Sequence, residues 1–441
     1  MKRPLTGLGA AAALGLAVLY GFAAHARHWF PYRPLRAIAR RFAPASSDEA
    51  RGVPASKLAE RDAVGRLMQL PYLTGYKASG AGPDGVTVYE SGLAANGWNL
   101  CLSAHAAEAR LLDMRGAAHH RWAFEASRIW PGLEVSPRVF EHDDYWSRAE
   151  LLEGGDLLVI WEYVGMARLD RGSRLKWSLQ NRANHDLAVD REGRIYTLTR
   201  QVKRIPEVNP DDDVFEDFLT VVSPEGKTLR QISLLRSLEQ SDYAPALAFL
   251  PREPDLLHAN ALQILDGALA PRNPAFREGN VLVSIRSLGL LAVLDPGQEK
   301  IVWALSGQWR AQHTPRLLDT GRLLLFDNLG RMVVGESRVV EVDAFTQEIV
   351  WRYGETKAQR LFSGSHGSTQ RLANGNTLIV ESNTGRAIEV TPEGRSVWEY
   401  RNPYRVGKKR ELIAMLSQME RLSPALSTEW ADHPGSPSAP R

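Results

Sequence analysis

Four of the eleven histidines in this chain share one place in its sequence pattern. His185, His258, His313 and His366 each stand eight or nine residues ahead of a glycine that marks a hairpin turn, at Gly193, Gly267, Gly321 and Gly375 respectively. Imidazoles gathered at one register support two kinds of chemistry. They can ligate zinc, copper or iron, or they can act as nucleophiles and proton carriers in group transfer. Arg331 follows in Asp327-Asn328-Leu329-Gly330-Arg331, in the loop after the strand that succeeds His313. A guanidinium fixed beside a metal ion repels it, whereas beside a sulfate or phosphate ester it forms a bidentate clamp. The arginine therefore favours anion chemistry.

Four distant histidines at one register converge if the scaffold is a closed repeat, and the chain carries a repeat. An apolar pair ending in a small polar residue leads through a turn into a strand that usually reaches a tryptophan. The copies are Leu111-Leu112-Asp113 to Trp122, Leu169-Asp170 to Trp177, Val222-Ser223 to Ile232, Leu294-Asp295 to Trp303, Val342-Asp343 to Trp351, and Val390-Thr391 to Trp398. Asp, Ser or Thr suits a turn because its side chain bonds backbone amides, and Gly116, Gly172, Gly226, Gly297 and Gly394 supply permissive backbone angles. Between these hairpins lie alternating apolar runs after a glycine, such as Gly155-Asp156-Leu157-Leu158-Val159-Ile160 and Asn374-Gly375-Asn376-Thr377-Leu378-Ile379. Two hairpins per unit make a four-stranded blade, so six copies predict an all-β, six-bladed β-propeller. Its innermost strands run along a central channel, which would carry the four histidines to one height on the axis. The repeated tryptophan is read as packing between blades, because a large aromatic filling the gap between twisted sheets needs no ligand.

The remaining segments flank the propeller, which is expected over residues 75–405. Lys2 and Arg3 precede an apolar stretch from Leu5 to Ala24 that is long enough to span a membrane as one transmembrane helix. Residues 1–26 are read as an anchor or signal-anchor, and an uncleaved anchor is favoured over cleavage at Ala24-His25-Ala26. Arg27, Arg33, Arg36, Arg40 and Arg41 follow the span; they argue for a cytoplasmic domain by the positive-inside tendency, and equally suit a segment lying on anionic lipid. Residues 27–74 read as a helical linker. Residues 406–441 read as a closing helix over 409–421 followed by a disordered Pro- and Ser-rich tail.

Composition excludes several classes. A net charge of +3 with dispersed basic residues leaves no nucleic-acid footprint. Cys101 is the only cysteine, which rules out an internal disulfide and cysteine-based metal sites.

The chain resembles the bacterial arylsulfate sulfotransferases over roughly residues 95–405. The resemblance rests on Leu257-His258-Ala259-Asn260-Ala261, on Gln312-His313 followed by Leu325-Phe326-Asp327-Asn328 and Arg331, and on Asn374-Gly375-Asn376-Thr377-Leu378-Ile379. It implies an exported six-bladed propeller that moves a sulfuryl group from an aryl sulfate ester to a phenolic acceptor. The transfer passes through a sulfated histidine and uses neither a cofactor nor the adenosine-phosphosulfate donor of cytosolic sulfotransferases. On this reading His366 is the nucleophile, and His258, His313 and Arg331 hold the sulfuryl oxygens. His185, Asn260 and Asn328 stand on the substrate side, no metal is bound, and the propeller lies in the periplasm on its membrane anchor. The alternatives are a non-catalytic propeller that binds ligands or acts as a scaffold, and a metal-dependent hydrolase built on the histidine ring.

Overall fold

The computed structural model describes residues 77–78, 82–131 and 144–430, apart from 211, 252, 331–335, 408, 427 and 429. The expected anchor, the whole of the expected linker, the last eleven residues of the expected tail, and Arg331 fall outside these residues. The described strands form six antiparallel blades, so the propeller is present. Blade 2 is Arg148–Leu151, Leu157–Trp161, Gly165–Leu169 and Leu175–Leu179, from the axis outwards. Blade 3 is Ala183–Val189, Ile195–Lys203, Val214–Val222 and Thr228–Ser233. Blade 4 is Ala259–Ile264, Val281–Ile285, Leu290–Asp295 and Lys300–Ser306. Blade 5 is His313–Leu317, Arg322–Asp327, Arg338–Asp343 and Ile349–Tyr353. Blade 6 is Ser368–Arg371, Thr377–Glu381, Arg386–Val390 and Ser396–Arg401, with Gly85–Tyr89 added as a fifth, outermost strand.

Blade 1 closes the ring and corrects the sequence reading. Its three outer strands are Trp98–Ser103, Glu108–Leu112 and Ala118–Ala123, but its innermost strand is Leu416–Leu422. The helix expected over 409–421 is instead this strand, preceded by the short strand Leu412–Ile413. Leu, Met, Gln, Glu and Arg are good helix formers, yet blade 1 without this strand would leave Trp98–Ser103 unpaired at the channel, and the ladder overrides local preference.

Solvent access sorts the strands. The second strands are buried on both faces, as in Val281–Ile285 and Thr377–Glu381, because each is sandwiched between neighbouring blades. The outermost strands are partly exposed. Turns follow the expected chemistry: Asp113 Oδ1 accepts the amides of Arg115 and Ala117, and Asp170 Oδ1 those of Gly172 and Arg174. Gly116, Gly226 and Gly394 adopt φ of 82–85° as expected. In the turns of Gly172 and Gly297 the left-handed residue is instead Ser173 or Glu299.

Two devices lock blade to blade. Four of the repeated tryptophans donate their indole N–H to a carbonyl of the next blade: Trp122 to Gly155, Trp177 to Pro224, Trp351 to Pro392 and Trp398 to Met114. At the axis, glutamine side chains pair in both directions with the backbone of an adjacent innermost strand. Gln263 clamps Leu317, Gln370 clamps Arg421, and Gln418 clamps Ala149. Neighbouring inner strands are thus held in fixed register, which sets the heights of the groups between them.

Candidate functional site

The four histidines stand where the innermost strands of blades 3 to 6 begin, as the shared register implied. His185 lies within Ala183–Val189, His258 precedes Ala259–Ile264, His313 opens His313–Leu317, and His366 precedes Ser368–Arg371. The first three of these strands each carry a β-bulge at that end, between Asn184 and Leu187, Ala259 and Ala261, and His313 and Arg316. His185 and His258 adopt left-handed φ of 55° and 49°, and Thr314 one of 43°. Such backbone is unfavourable for these residues and persists only where the surroundings enforce it, and bulges re-aim side chains.

The rings form two pairs. His185 and His258 lie 5.0 Å apart between ring centroids, and His313 and His366 lie 6.0 Å apart at an interplanar angle of 28°. Each ring is held through Nδ1. Glu162 holds His185 at 3.0 Å, Asp255 holds His258 at 2.6 Å, Asn328 Oδ1 holds His313 at 2.7 Å, and the Ser365 hydroxyl holds His366 at 2.9 Å. Behind His258, Asp255 pairs with the fully buried Arg200, which also binds Asp217 at 2.6 Å.

Burial sets the protonation of these groups. Burial drives His258 down to about 3, outweighing the attraction of Asp255, and takes His366 to about 4. His313 falls well below the ordinary imidazole value through burial, reinforced by His366 and Arg286. Burial alone would raise Glu162, but the His185 ring and its hydrogen bond hold the carboxyl at about 2. His258, His313 and His366 are therefore neutral, and Glu162 is ionised, at neutral pH.

A cavity of about 60 Å³ opens among these groups. His185, His313, His366, Asn260, Glu162, Asp186 and Arg148 line it, together with Ser147, Ser368, Ser382 and Ser417. His258 is absent from the cavity wall and stands behind His185. Asn328 is also fully buried behind the wall, with its amide nitrogen donating to the carbonyls of Ser363 and His366. Asn260 donates to the Gln312 carbonyl and leaves its Oδ1 without a hydrogen bond. Among the described residues, no group of three or more His, Cys, Asp or Glu side chains is placed to hold a metal ion.

Two groups at this site were missed from sequence. Arg286 acts electrostatically on both His313 and His366, and Glu162 carries the carboxylate beside His185. A signal for both exists. Each is the first residue after its blade's second strand, Leu157–Trp161 for Glu162 and Val281–Ile285 for Arg286, and Asn328 and Ser382 hold the same place in blades 5 and 6. This second register closes the site from the adjoining loops.

Comparison with known proteins bears on the family. A protein of unknown function from Bacteroides caccae aligns at 12% identity over 74% of this chain and 98% of its own, with a TM-score of 0.48. Streptogramin B lyase aligns at 11% identity over 78% and 94%, with a TM-score of 0.41. Virginiamycin B lyase from Staphylococcus aureus aligns at 11% over 76% and 95%, with a TM-score of 0.40. Likeness at this level carries no argument. Among curated proteins none matches. The arylsulfotransferase (ASST) family profile, however, matches residues 148–403, from the innermost strand of blade 2 to the end of blade 6. That span is more than half of the 441 residues and holds all four histidines, and the chain belongs to the arylsulfotransferase family.

Proposed function

We propose that the chain transfers a sulfuryl group from an aryl sulfate ester to a phenolic acceptor by way of a sulfated histidine, with no nucleotide-borne donor. The observation that carries this reading is the pair His313 and His366, two neutral imidazoles 6.0 Å apart within the influence of Arg286. A neutral ring is nucleophilic, and a guanidinium stabilises the charge spread over the equatorial sulfuryl oxygens. His366 is the nucleophile: its Nδ1 is engaged by Ser365, which leaves Nε2 for sulfur, and its ring is the less enclosed of the two. Arg331 and Arg286 stabilise the transferring group, and His258 supports His185 from behind. The propeller works outside the cytoplasmic membrane, tethered by residues 5–24.

The test is mass spectrometry after brief incubation with an aryl sulfate alone. The wild type should gain about 80 Da on one histidine, as a covalent intermediate requires, and His366→Asn should gain none. An adduct that persists in His366→Asn and vanishes in His313→Asn would move the nucleophile to His313. Absence of both adduct and transfer, across a panel of aryl sulfates and phenols, would favour a binding propeller. Arg331→Lys should also lower activity, because a point charge cannot replace the planar fork.

A further inference from the structure

The wall of the chamber at His313 and Asn260 presents hydrogen-bond acceptors, whereas the donors that sulfuryl oxygens need, Arg148 and the serines, stand elsewhere in its lining. Asn328 fixes the sign of the interaction. Its amide nitrogen is committed to two carbonyls, those of Ser363 at 2.6 Å and His366 at 2.8 Å, so the oxygen must face His313. His313 Nδ1 therefore meets two acceptors, Asn328 Oδ1 at 2.7 Å and the Ala311 carbonyl at 3.0 Å. Only an N–H satisfies both, which leaves Nε2 as a bare lone pair. That atom is buried and has no hydrogen-bond partner. Asn260 is fixed by the same logic: its nitrogen donates to the Gln312 carbonyl, and its buried Oδ1 has no partner. Both side chains line the cavity. Two unsatisfied acceptors in one wall are costly unless a donor arrives.

Size narrows the donor. The cavity of about 60 Å³ is well below the roughly 150 Å³ of a benzene-binding cavity. It takes a hydroxyl while the ring that bears it lies outside.

We propose that His313 and Asn260 form the subsite for the acceptor's hydroxyl, with His313 Nε2 as the general base of the second half-reaction. The inference rests on the sulfohistidine reading above and replaces the expected role of His313 as a holder of sulfuryl oxygens. In the step, the phenol oxygen attacks sulfur as its proton passes to His313 Nε2. The new O–S bond forms as the N–S bond to His366 breaks, and that electron pair returns to the His366 ring. The imidazolium of His313 then gives its proton to water. Asn328 is a positioning residue that keeps the lone pair on Nε2.

The experiment separates the two half-reactions. With 4-nitrophenyl sulfate alone, the wild type should release one equivalent of nitrophenolate in a burst, and His313→Asn, which retains a donor towards Asn328, should keep that burst. Transfer onward to phenol should fall by about 10²–10⁴-fold in the variant, the usual worth of a general base. Transfer to pentafluorophenol, already ionised at the assay pH, should fall far less. Equal loss with both acceptors, or loss of the burst in a variant with wild-type circular dichroism, overturns the proposal. A second measurement needs no variant. Wild-type transfer to phenol should be nearly flat from pH 7 to 9, whereas a rise of about tenfold per pH unit would mean that free phenolate reacts unaided. A wild type that transfers sulfate without burst or adduct overturns the underlying covalent reading, and the proposal with it.

Discussion

Arg200 gives the sharpest test of how the histidine wall is supported. It is 1% exposed, between Asp217 at 0% and Asp255 at 3%, and Asp255 in turn holds His258. Arg200→Met keeps much of the packing against Tyr163 and Phe215 but strands two carboxylates in the interior. Removing one partner of a buried ion pair costs about 3–5 kcal/mol, because the remaining charge is left uncompensated. Burial already raises Asp217 despite the arginine, and losing the cation should raise it further. A carboxyl whose folded pKa is raised contributes its full stability only below its unfolded value of about 3.9, and loses it as pH rises through the folded value. The deficit of Arg200→Met should therefore deepen between pH 4 and pH 8, as read from urea unfolding at several pH values. Adding Asp217→Asn should recover part of the loss at pH 8 and little at pH 4. A deficit under about 1 kcal/mol, or one independent of pH, would refute the view that Arg200 neutralises these carboxylates.

Trp398→Phe should cost about 1–3 kcal/mol of unfolding free energy, since it strips a donor from the buried Met114 carbonyl at the seam between blades 6 and 1; a change within 0.5 kcal/mol, roughly the neutral range for surface substitutions, would deny the clamp. Glu150 is raised to about 8 by burial and by the nearby Glu420, so wild-type stability should fall as pH climbs from about 5 towards 8 and Glu150→Gln should lose that slope. Matching denaturation midpoints for the two proteins at pH 5 and pH 9 would exclude this titration. Alkaline phosphatase fused after residue 441 should be active in intact cells if the propeller lies outside the membrane, and a fusion active only on the cytoplasmic side would reverse the orientation.

Much of the ring could be read along the chain because its signals are local. Asp113, Asp170 and Asp343 make turns through their own neighbours, and each tryptophan recurs seven to nine residues after its turn residue. The register of His185, His258, His313 and His366 was legible for the same reason. What escaped was set by closure and convergence. Leu416–Leu422 is composed of helix formers and became a strand only because blade 1 lacked one. Glu162 and Arg286 gain their meaning from histidines on other blades, and Asp255 from Arg200 across a blade boundary. Asn328 is buried against Nδ1 of His313, a contact within blade 5 that the sequence does not display.

The seam in blade 1 also sets a timetable for synthesis. Its innermost strand, Leu416–Leu422, is made last, while its partner Trp98–Ser103 is made more than three hundred residues earlier. At about 5–20 residues per second, the early strand waits on the order of 15–60 s with its channel-facing edge unpaired. His185 to His366 emerge within that interval, so the chemical groups are all present before the ring that holds them is shut. An unpaired edge invites association with other chains, so a partner able to cover Trp98–Ser103 during that wait would raise the yield of folded protein.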